Sequence, residues 1–596
     1  MRKSQSSTMA RFSAKAYSLV FVILTLWLLR FPQCQVSKVE KADIILFNGK
    51  IITVDKRFSI AQAIAIKDGR ILGLGTDDDI LQFEGDSSSV VNLNGHSVLP
   101  GLIDGHAHPI EASQSEYYQK IPFISSVQGL LEWIKNEAKT KQAGEWIIHP
   151  RFFVTRLKDW RQITKRELDA VAPDHPVFLN GSFGGMVNTK ALRVSQLTDL
   201  KHEGIMRDKL TGEATGFIKA SAFRLLAIKD NRRLSEDDKL MLLRQMLQRY
   251  NAAGITSICS GGESVEAYRL FQKLLHRNGL TVRVFQNIIF PDERKAGIID
   301  WRDSLPKLGF KTSDGNEWLR AGAIKVLLDG GILTGTAYLR QGWGRRAMEV
   351  YGIADSAYRG ELMYSKNELA GLIRLAADAN WKFTAHVTGG GAVDTLLAAF
   401  EAVNHSAPLR GKRFSIIHGN FYTPEAIRKM AAMGIIADMQ PAWYLKDGDL
   451  LNKVLEKDLM RTFHPYASMI RAGIIINAGS DHMIQWDPDS STNPYNPFLS
   501  MWCMISGKAE AGVIVNPETI ISRKEAIKMY TINNAYASFE EHLKGSLEAG
   551  KLADLVVLSE DILSCPVENI RNIKPLLTMV GGRFVYDSGE LKLTIP

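Results

Sequence analysis

"PGLIDGHAHP", residues 100–109, reads as a short apolar strand that runs into two histidines. In an extended chain, residues i and i+2 project to the same side. His106 and His108 therefore aim two imidazoles at one point, as a shared metal ion requires. Gly105 and Ala107 keep the surroundings small. Two polar loop histidines would give the same letters, so the pair gains meaning from what lies downstream.

Outward from that motif, roughly residues 99–540 alternate short apolar runs with helical stretches. The runs are "VLPGLID", "GITSICS", "VRVFQNIIF", "AIKVLLDG", "KFTAHVTG", "FSIIHG", "GIIADMQ" and "GIIINAGSD". "KNELAGLIRLAADAN" and "TPEAIRKMAAMG" have helical periodicity, and in the second Thr423 is placed to cap, with Pro424 at the first position. Repeated strand-then-helix units predict a parallel sheet, and about eight of them a closed (β/α)₈, or TIM, barrel of the α/β class. More than 140 residues separate His108 from Gly254, far beyond an ordinary connection. An inserted subdomain over about residues 120–250 is expected there, covering the barrel mouth. Both ends are β-rich: "ADIILFNGKIITVD" and "AIAIKDGRILGLG" at one, "KLADLVVLSED" and "LLTMVGGRFVYDSG" at the other, with Asn-Gly and Asp-Gly turns. Residues 40–98 and 541–596 are therefore expected to build one composite β-domain.

Strand ends carry the remaining candidates. His386 closes "KFTAH", His418 closes "FSIIH" and Asp481 follows "GIIINAGS". A lone strand-end histidine is often a packed core residue, but C-terminal strand ends of a barrel converge on one face. Four imidazoles meeting there would suit zinc or a similar metal. Asp481 could bind metal and accept a proton from water, or cap a helix, a task Ser480 could also do. In "GAIKVLLDGG", Lys325 alternates with Ile324 and Val326 and shares a face with Leu327 and Asp329. A barrel-lining ammonium would repel metal ions, whereas its carbamate, formed with carbon dioxide, could bridge two of them. Pairing with Asp329, or an outward orientation, is the alternative. His482 is a candidate substrate contact beside Asp481. His96, His149, His175, His202, His276, His405, His464 and His542 lack strand-end context and read as surface or packing residues.

Composition sets the frame. The chain has 596 residues, 45% apolar and 23% charged, which is ordinary for a globular protein. Five basic residues, Arg2, Lys3, Arg11, Lys15 and Arg30, lie in the first 33 positions and account for much of the net charge of +9. The small remaining excess gives no reason to invoke nucleic acid. Cys34, Cys259, Cys503 and Cys565 are far apart, so buried free thiols are expected rather than a disulfide framework or a cysteine metal site. Arg11 and Lys15 precede "YSLVFVILTLWLL", and the run is shorter than a bilayer span. Residues 1–36 are expected to be a signal peptide directing export, or a signal anchor that keeps the protein at a membrane.

"PGLIDGHAHP", "AIKVLLDGG", "AHVTGGGAVD", "IIHGNFYTPEAI" and "NAGSD", in that order, resemble the amidohydrolase superfamily. The nearest likeness is to its amidohydrolase 3 group, which includes YtcJ-like metal-dependent hydrolases and N-substituted formamide deformylases. It covers about residues 40–590, and "ELDAVAPDHPVFL" and "NTKAL" extend it into the insert. The resemblance implies a TIM barrel with a composite β-sandwich. It implies two divalent metal ions, expected to be zinc, with His106 and His108 on the first, carboxylated Lys325 as the bridge, and His386 and His418 on the second. Asp481 would be ligand and proton shuttle. Two departures touch the substrate pocket: Phe183 stands where many relatives have histidine, five residues before Asn188, and His386 is followed by "VTGGGAVD" rather than a Gly-Asp-Arg pattern.

The expected activity is hydrolysis of an amide or formamide-like C–N bond, other than a peptide bond, in a small-molecule substrate, with Phe183 and His482 at the substrate. Lactone, ester or ring C–N hydrolysis on the same site is the alternative, as is a non-catalytic regulatory protein on this scaffold. A homo-oligomer is left open.

Overall fold

A computed structural model describes residues 40–228, 234–289 and 298–591. The expected leader over residues 1–36, and Cys34, lie outside them. Eight parallel strands form the central sheet: β1 Leu102–Ala107, β2 Ile255–Glu263, β3 Arg283–Ile289, β4 Leu319–Leu327, β5 Phe383–Val387, β6 Ser415–His418, β7 Ile436–Met439 and β8 Ile476–Ala478. Each pairs with its sequence neighbour. The first and last strands meet just beyond β8. Ala107 and His482 form a parallel bridge, and the Asp481 amide donates to the His106 carbonyl at 2.6 Å. The sheet thus closes into a TIM barrel, and its closing contact lies within the histidine motif.

Helices cover the barrel: α1 Glu236–Ala252, α2 Val265–His276, α3 Lys366–Asp378, α4 Gly390–Asn404, α5 Pro424–Met433 and α6 Pro441–Val454. Their starts follow from local chemistry. Ser365 and Glu368 form a reciprocal capping box on α3, and the Thr423 side chain accepts from the Ala426 amide at the head of α5. Their apolar faces carry Leu369, Leu372, Ile373, Met430 and Met433 into the core.

Four strands, Ile44–Phe47, Ala63–Lys67, Arg70–Gly75 and Ser89–Asn92, form one small sheet. A second draws on both ends of the chain, placing Lys50–Ile52, Ile60–Ala61 and Ser97–Pro100 beside Leu555–Leu558, Pro575–Val580 and Arg583–Asp587. The two pack through Leu46, Ile64, Val91, Val98, Leu555 and Leu577. The run "VLPGLID" is therefore two strands, not one. Ser97–Pro100 belongs to the small domain and β1 to the barrel, with Gly101 between them. A Cβ on Gly101 would stand 2.2 Å from Thr256 Oγ1, so only glycine lets the chain cross so close to β2.

After β1, residues 147–219 fold into a five-stranded sheet of Ile147–His149, Val177–Asn180, Gly184–Val187, Ile205–Arg207 and Ala214–Lys219. Helices Val127–Thr140 and Lys165–Val171 pack on it through Leu130, Ile134 and Leu168. Asn188 caps the helix Thr189–Val194 and is fully buried by that work. Cys259, Cys503 and Cys565 are buried free thiols. Among the described residues, no helix is long and apolar enough to cross a membrane.

Candidate metal centre at the barrel mouth

His106 and His108 leave β1 on one side, as alternation requires, and both turn Nε2 toward Asp481. The distances to Asp481 Oδ1 are 3.5 Å from His106 and 3.4 Å from His108. These three residues form a group whose donor atoms lie within 4.8 Å of one another. Gly261, at the end of β2, leaves the room: a Cβ there would sit 2.5 Å from His106 Nε2 and 2.7 Å from His108 Nε2.

Lys325 comes up from β4 into the same space. Its Nζ lies 3.4 Å from His106 Nε2 and donates to the Gly261 carbonyl, and only 4% of the residue is exposed. It neither faces outward nor pairs with Asp329. That carboxylate accepts instead from the amides of Tyr338, Thr388 and Gly389. His386 and His418 stand as neighbours, ring centroids 4.7 Å apart, with His418 5.6 Å from His106. The four imidazoles and Lys325 thus share one end of the barrel. His106, His108 and Asp481 form the tight group, and His386 and His418 lie one ring further out. His418 and Asp481 both adopt left-handed backbone, φ +70° and +55°. For such residues that costs roughly 1–2 kcal/mol and persists only where surrounding contacts impose it.

Charge in the centre follows from burial and pairing. Burial, reinforced by the Lys325 charge, holds His106 well below the ordinary imidazole range. Burial likewise lowers His386, with His418 adding to it, and brings His418 down to about 4. For His108 burial opposes the charge, but bonds to Asp481 and Glu263 outweigh it and raise the group to about 9. Burial works against an ionised Asp481 too, yet the His108 bond and the neighbouring imidazoles hold it below the usual carboxylate range. Burial depresses Lys325.

The donors suit a divalent metal. Two imidazoles and a carboxylate converge, the kind of nitrogen-and-oxygen set that zinc takes. His106 Nδ1 is buried without a hydrogen-bond partner and lies 3.6 Å from Asp438 Oδ2, while His418 Nδ1 meets Gln440 Oε1 at 2.6 Å. With Nδ1 so engaged, the Nε2 edge of His418 is the one left to coordinate.

A cavity opens onto Asp481, His386 and His418. Phe153, Phe183, Ile332, Leu333, Trp443 and Met483 make its apolar wall, and Asn420 and Thr388 add polar points. Phe183 stacks on His386, centroids 4.6 Å apart and planes 27° from parallel. His482, expected at the substrate, is elsewhere. Its ring is fully buried, with Nδ1 on Tyr250 Oη at 2.9 Å and Nε2 on the Gln485 carbonyl at 2.7 Å. The closing bridge to Ala107 turns this side chain away from the cavity that Asp481 faces. His149 is a second correction: it does end a strand, but one in the insert, wedged between Trp133 and Phe152.

Glu263, Trp443, Phe153 and Asn420 were not singled out from the sequence. Glu263 had a faint signal, a carboxylate ending the run "GITSICSGGE". The others depend on where loops and helix starts fall.

The amidohydrolase family profile matches residues 89–586, which is most of the chain. The chain belongs to the amidohydrolase family. An N-substituted formamide deformylase of Arthrobacter pascens is 27% identical to this amidohydrolase over 92% of the chain and 99% of the relative. The protein LONG AFTER FAR-RED 3 of Arabidopsis thaliana is also 27% identical, over 91% of this chain and 92% of its own. Among solved structures, a metal-dependent hydrolase of Pyrococcus furiosus superposes with a TM-score of 0.62. It covers 87% of this chain and 100% of its own at 21% identity, a likeness of fold.

Proposed function

We propose that this amidohydrolase cleaves the C–N bond of a small, uncharged amide or formamide, other than a peptide bond, using two divalent metal ions, zinc by preference. The observation that carries this reading is the convergence of His106, His108 and Asp481, the last of which also lines an apolar cavity. His106 and His108 would hold one ion, His386 and His418 the other, and Lys325, as its carbamate, would lie between them. When bound, the metal supplies Lewis acidity toward the substrate carbonyl and acidifies the attacking water.

The chain's own groups do the rest. Asp481, kept ionised by its imidazole neighbours, takes the proton of the water and returns it to the departing nitrogen. The Trp443 indole N–H holds Asp481 Oδ2 at 3.0 Å, leaving Oδ1 turned to the imidazoles. The apolar wall excludes bulk water and packs the substituent on the scissile nitrogen. The side chains of Phe153, Phe183, Ile332, Leu333, Trp443 and Met483 in the lining favour an uncharged substrate. Phe183, stacked on His386, is the residue we assign to substrate selection. The basic start and apolar run of residues 11–30 support export, and a reporter fused to residues 1–40 that stayed in the cytosol would count against it.

The test is a panel of neutral N-substituted formamides, N-acyl amines, lactones and esters, assayed on zinc-loaded and chelated protein. Zinc-dependent turnover of the C–N substrates is expected, with Phe183→Leu reordering rates across the panel at unchanged metal content. Turnover confined to lactones or esters would overturn the bond assignment, and no turnover in either state would overturn the catalytic reading.

A further inference from the structure

Asp481 carries two demands at once. Its backbone is left-handed, and its two carboxylate oxygens face different partners. Oδ1 lies at the imidazoles, while Oδ2 accepts the Trp443 N–H at 3.0 Å with both residues buried. Trp443 sits in the first turn of α6 and is itself braced from outside the barrel. Phe153 meets its ring edge-on, centroids 6.1 Å apart at 86°, and the Arg156 guanidinium lies over it at 5.6 Å. Both belong to the insert, at and beside the short turn Val154–Arg156.

Arg156 is fixed in turn. Its Nη1 bonds Asp447 Oδ1 at 2.6 Å and its Nη2 donates to the Thr492 carbonyl at 3.1 Å. Asp447 is four residues after Trp443 on α6, so the two side chains share a helix face. The guanidinium therefore lies along α6, with Nη1 on Asp447 and its carbon 5.6 Å from the indole centroid. Insert and barrel helix are clamped together at the spot from which the indole N–H reaches Asp481.

We propose that Trp443 is a positioning residue through which the insert sets the orientation of the Asp481 carboxylate, with Phe153 and Arg156 as the brace. The proposal rests on the reading of Asp481 as a metal ligand. A bond to one oxygen fixes rotation of the carboxylate about its χ2 axis, which is otherwise soft. Orienting partners of this kind typically change metal affinity by about 10–100-fold. The arrangement makes the insert part of the metal centre's support as well as the cavity's wall.

Zinc alone is the probe. Affinity is measured by competition with a chromogenic chelator for wild type, Trp443→Phe, Arg156→Lys and the double variant, with thermal melts of each metal-free form. Trp443→Phe keeps the ring but loses the N–H, and about 10-fold weaker zinc binding is expected at an unchanged melting midpoint. Arg156→Lys keeps a cation for Asp447 but loses the planar brace. It should weaken binding about 3-fold in the wild-type background and not at all once Trp443 is Phe, because coupled residues are non-additive. Should Trp443→Phe not fold, the loss in Arg156→Lys still decides the matter. Unchanged affinity in Trp443→Phe, or in Arg156→Lys where that is the variant left to decide, or an Arg156→Lys effect that persists in the double variant, overturns the proposal. Wild-type protein that binds no zinc overturns instead the metal-centre reading beneath it.

Discussion

Lys325 is the residue whose chemistry departs furthest from its type. With 4% exposure, its side-chain nitrogen touches an imidazole nitrogen and a peptide carbonyl. Burial favours the neutral amine, and the neutral amine is the form that adds carbon dioxide. Lys325→Ala is expected to lower kcat by at least about 100-fold and to weaken metal retention, on the scale set by losing one charge-stabilising group. Lys325→Arg should do the same, since guanidinium stays charged and forms no carbamate. Full activity and metal content in either variant would return Lys325 to a packing role.

The ring nitrogens of His149 are both buried, and burial lowers the imidazole from 6.5 to about 4. Between those values the unfolded chain binds the proton and the native one does not, so stability falls as pH is lowered through that window. The loss is about 1.4 kcal/mol per pH unit. His149→Phe removes the titration. Its thermal midpoint should exceed that of wild type by a margin that widens from pH 7.5 to pH 5. A constant margin would mean that His149 titrates normally.

At the scale of elements, what was legible in the sequence is what periodicity and strand ends encode. His106 and His108 were readable because alternation in a strand fixes their common side. His386, His418 and Asp481 were readable because barrel strand ends converge. Thr423 announced its helix with an N-cap followed by proline. Legibility stopped where two elements join or a loop chooses its path. Nothing in "VLPGLID" marks the handover from the small sheet to the barrel except Gly101, whose meaning depends on Thr256 more than 150 residues away. His482 was misplaced because the bridge to Ala107 fixes its direction, and Trp443 was missed because its partner lies on another strand end. Gly101→Ala should destabilise the junction by about 1–3 kcal/mol through overpacking. Adding Thr256→Ser, which removes Cγ2, should recover part of the lost thermal midpoint. An unchanged midpoint in Gly101→Ala would show that the crossing is looser than the 2.2 Å contact implies.

In the whole molecule, barrel and insert meet at the mouth, and the composite β-domain holds the opposite end of β1. The barrel supplies the imidazoles, Lys325 and Asp481. The insert supplies Phe183 on His386 and Phe153 on Trp443. The composite β-domain joins both ends of the chain at the start of β1, the strand that carries the two leading histidines. Stability and chemistry are therefore linked through β1, which opens at Gly101 and closes the barrel at Ala107. Membership of the amidohydrolase family fits this plan, and Phe153 and Phe183 of the insert form part of the cavity wall.

Metal stoichiometry distinguishes a two-metal centre from a mononuclear one. Elemental analysis of zinc-replete, desalted protein should give two ions per chain for wild type and fewer for Lys325→Ala, as expected when the bridging group is lost. One ion or none in wild type, with the protein folded, would rule out a two-metal centre.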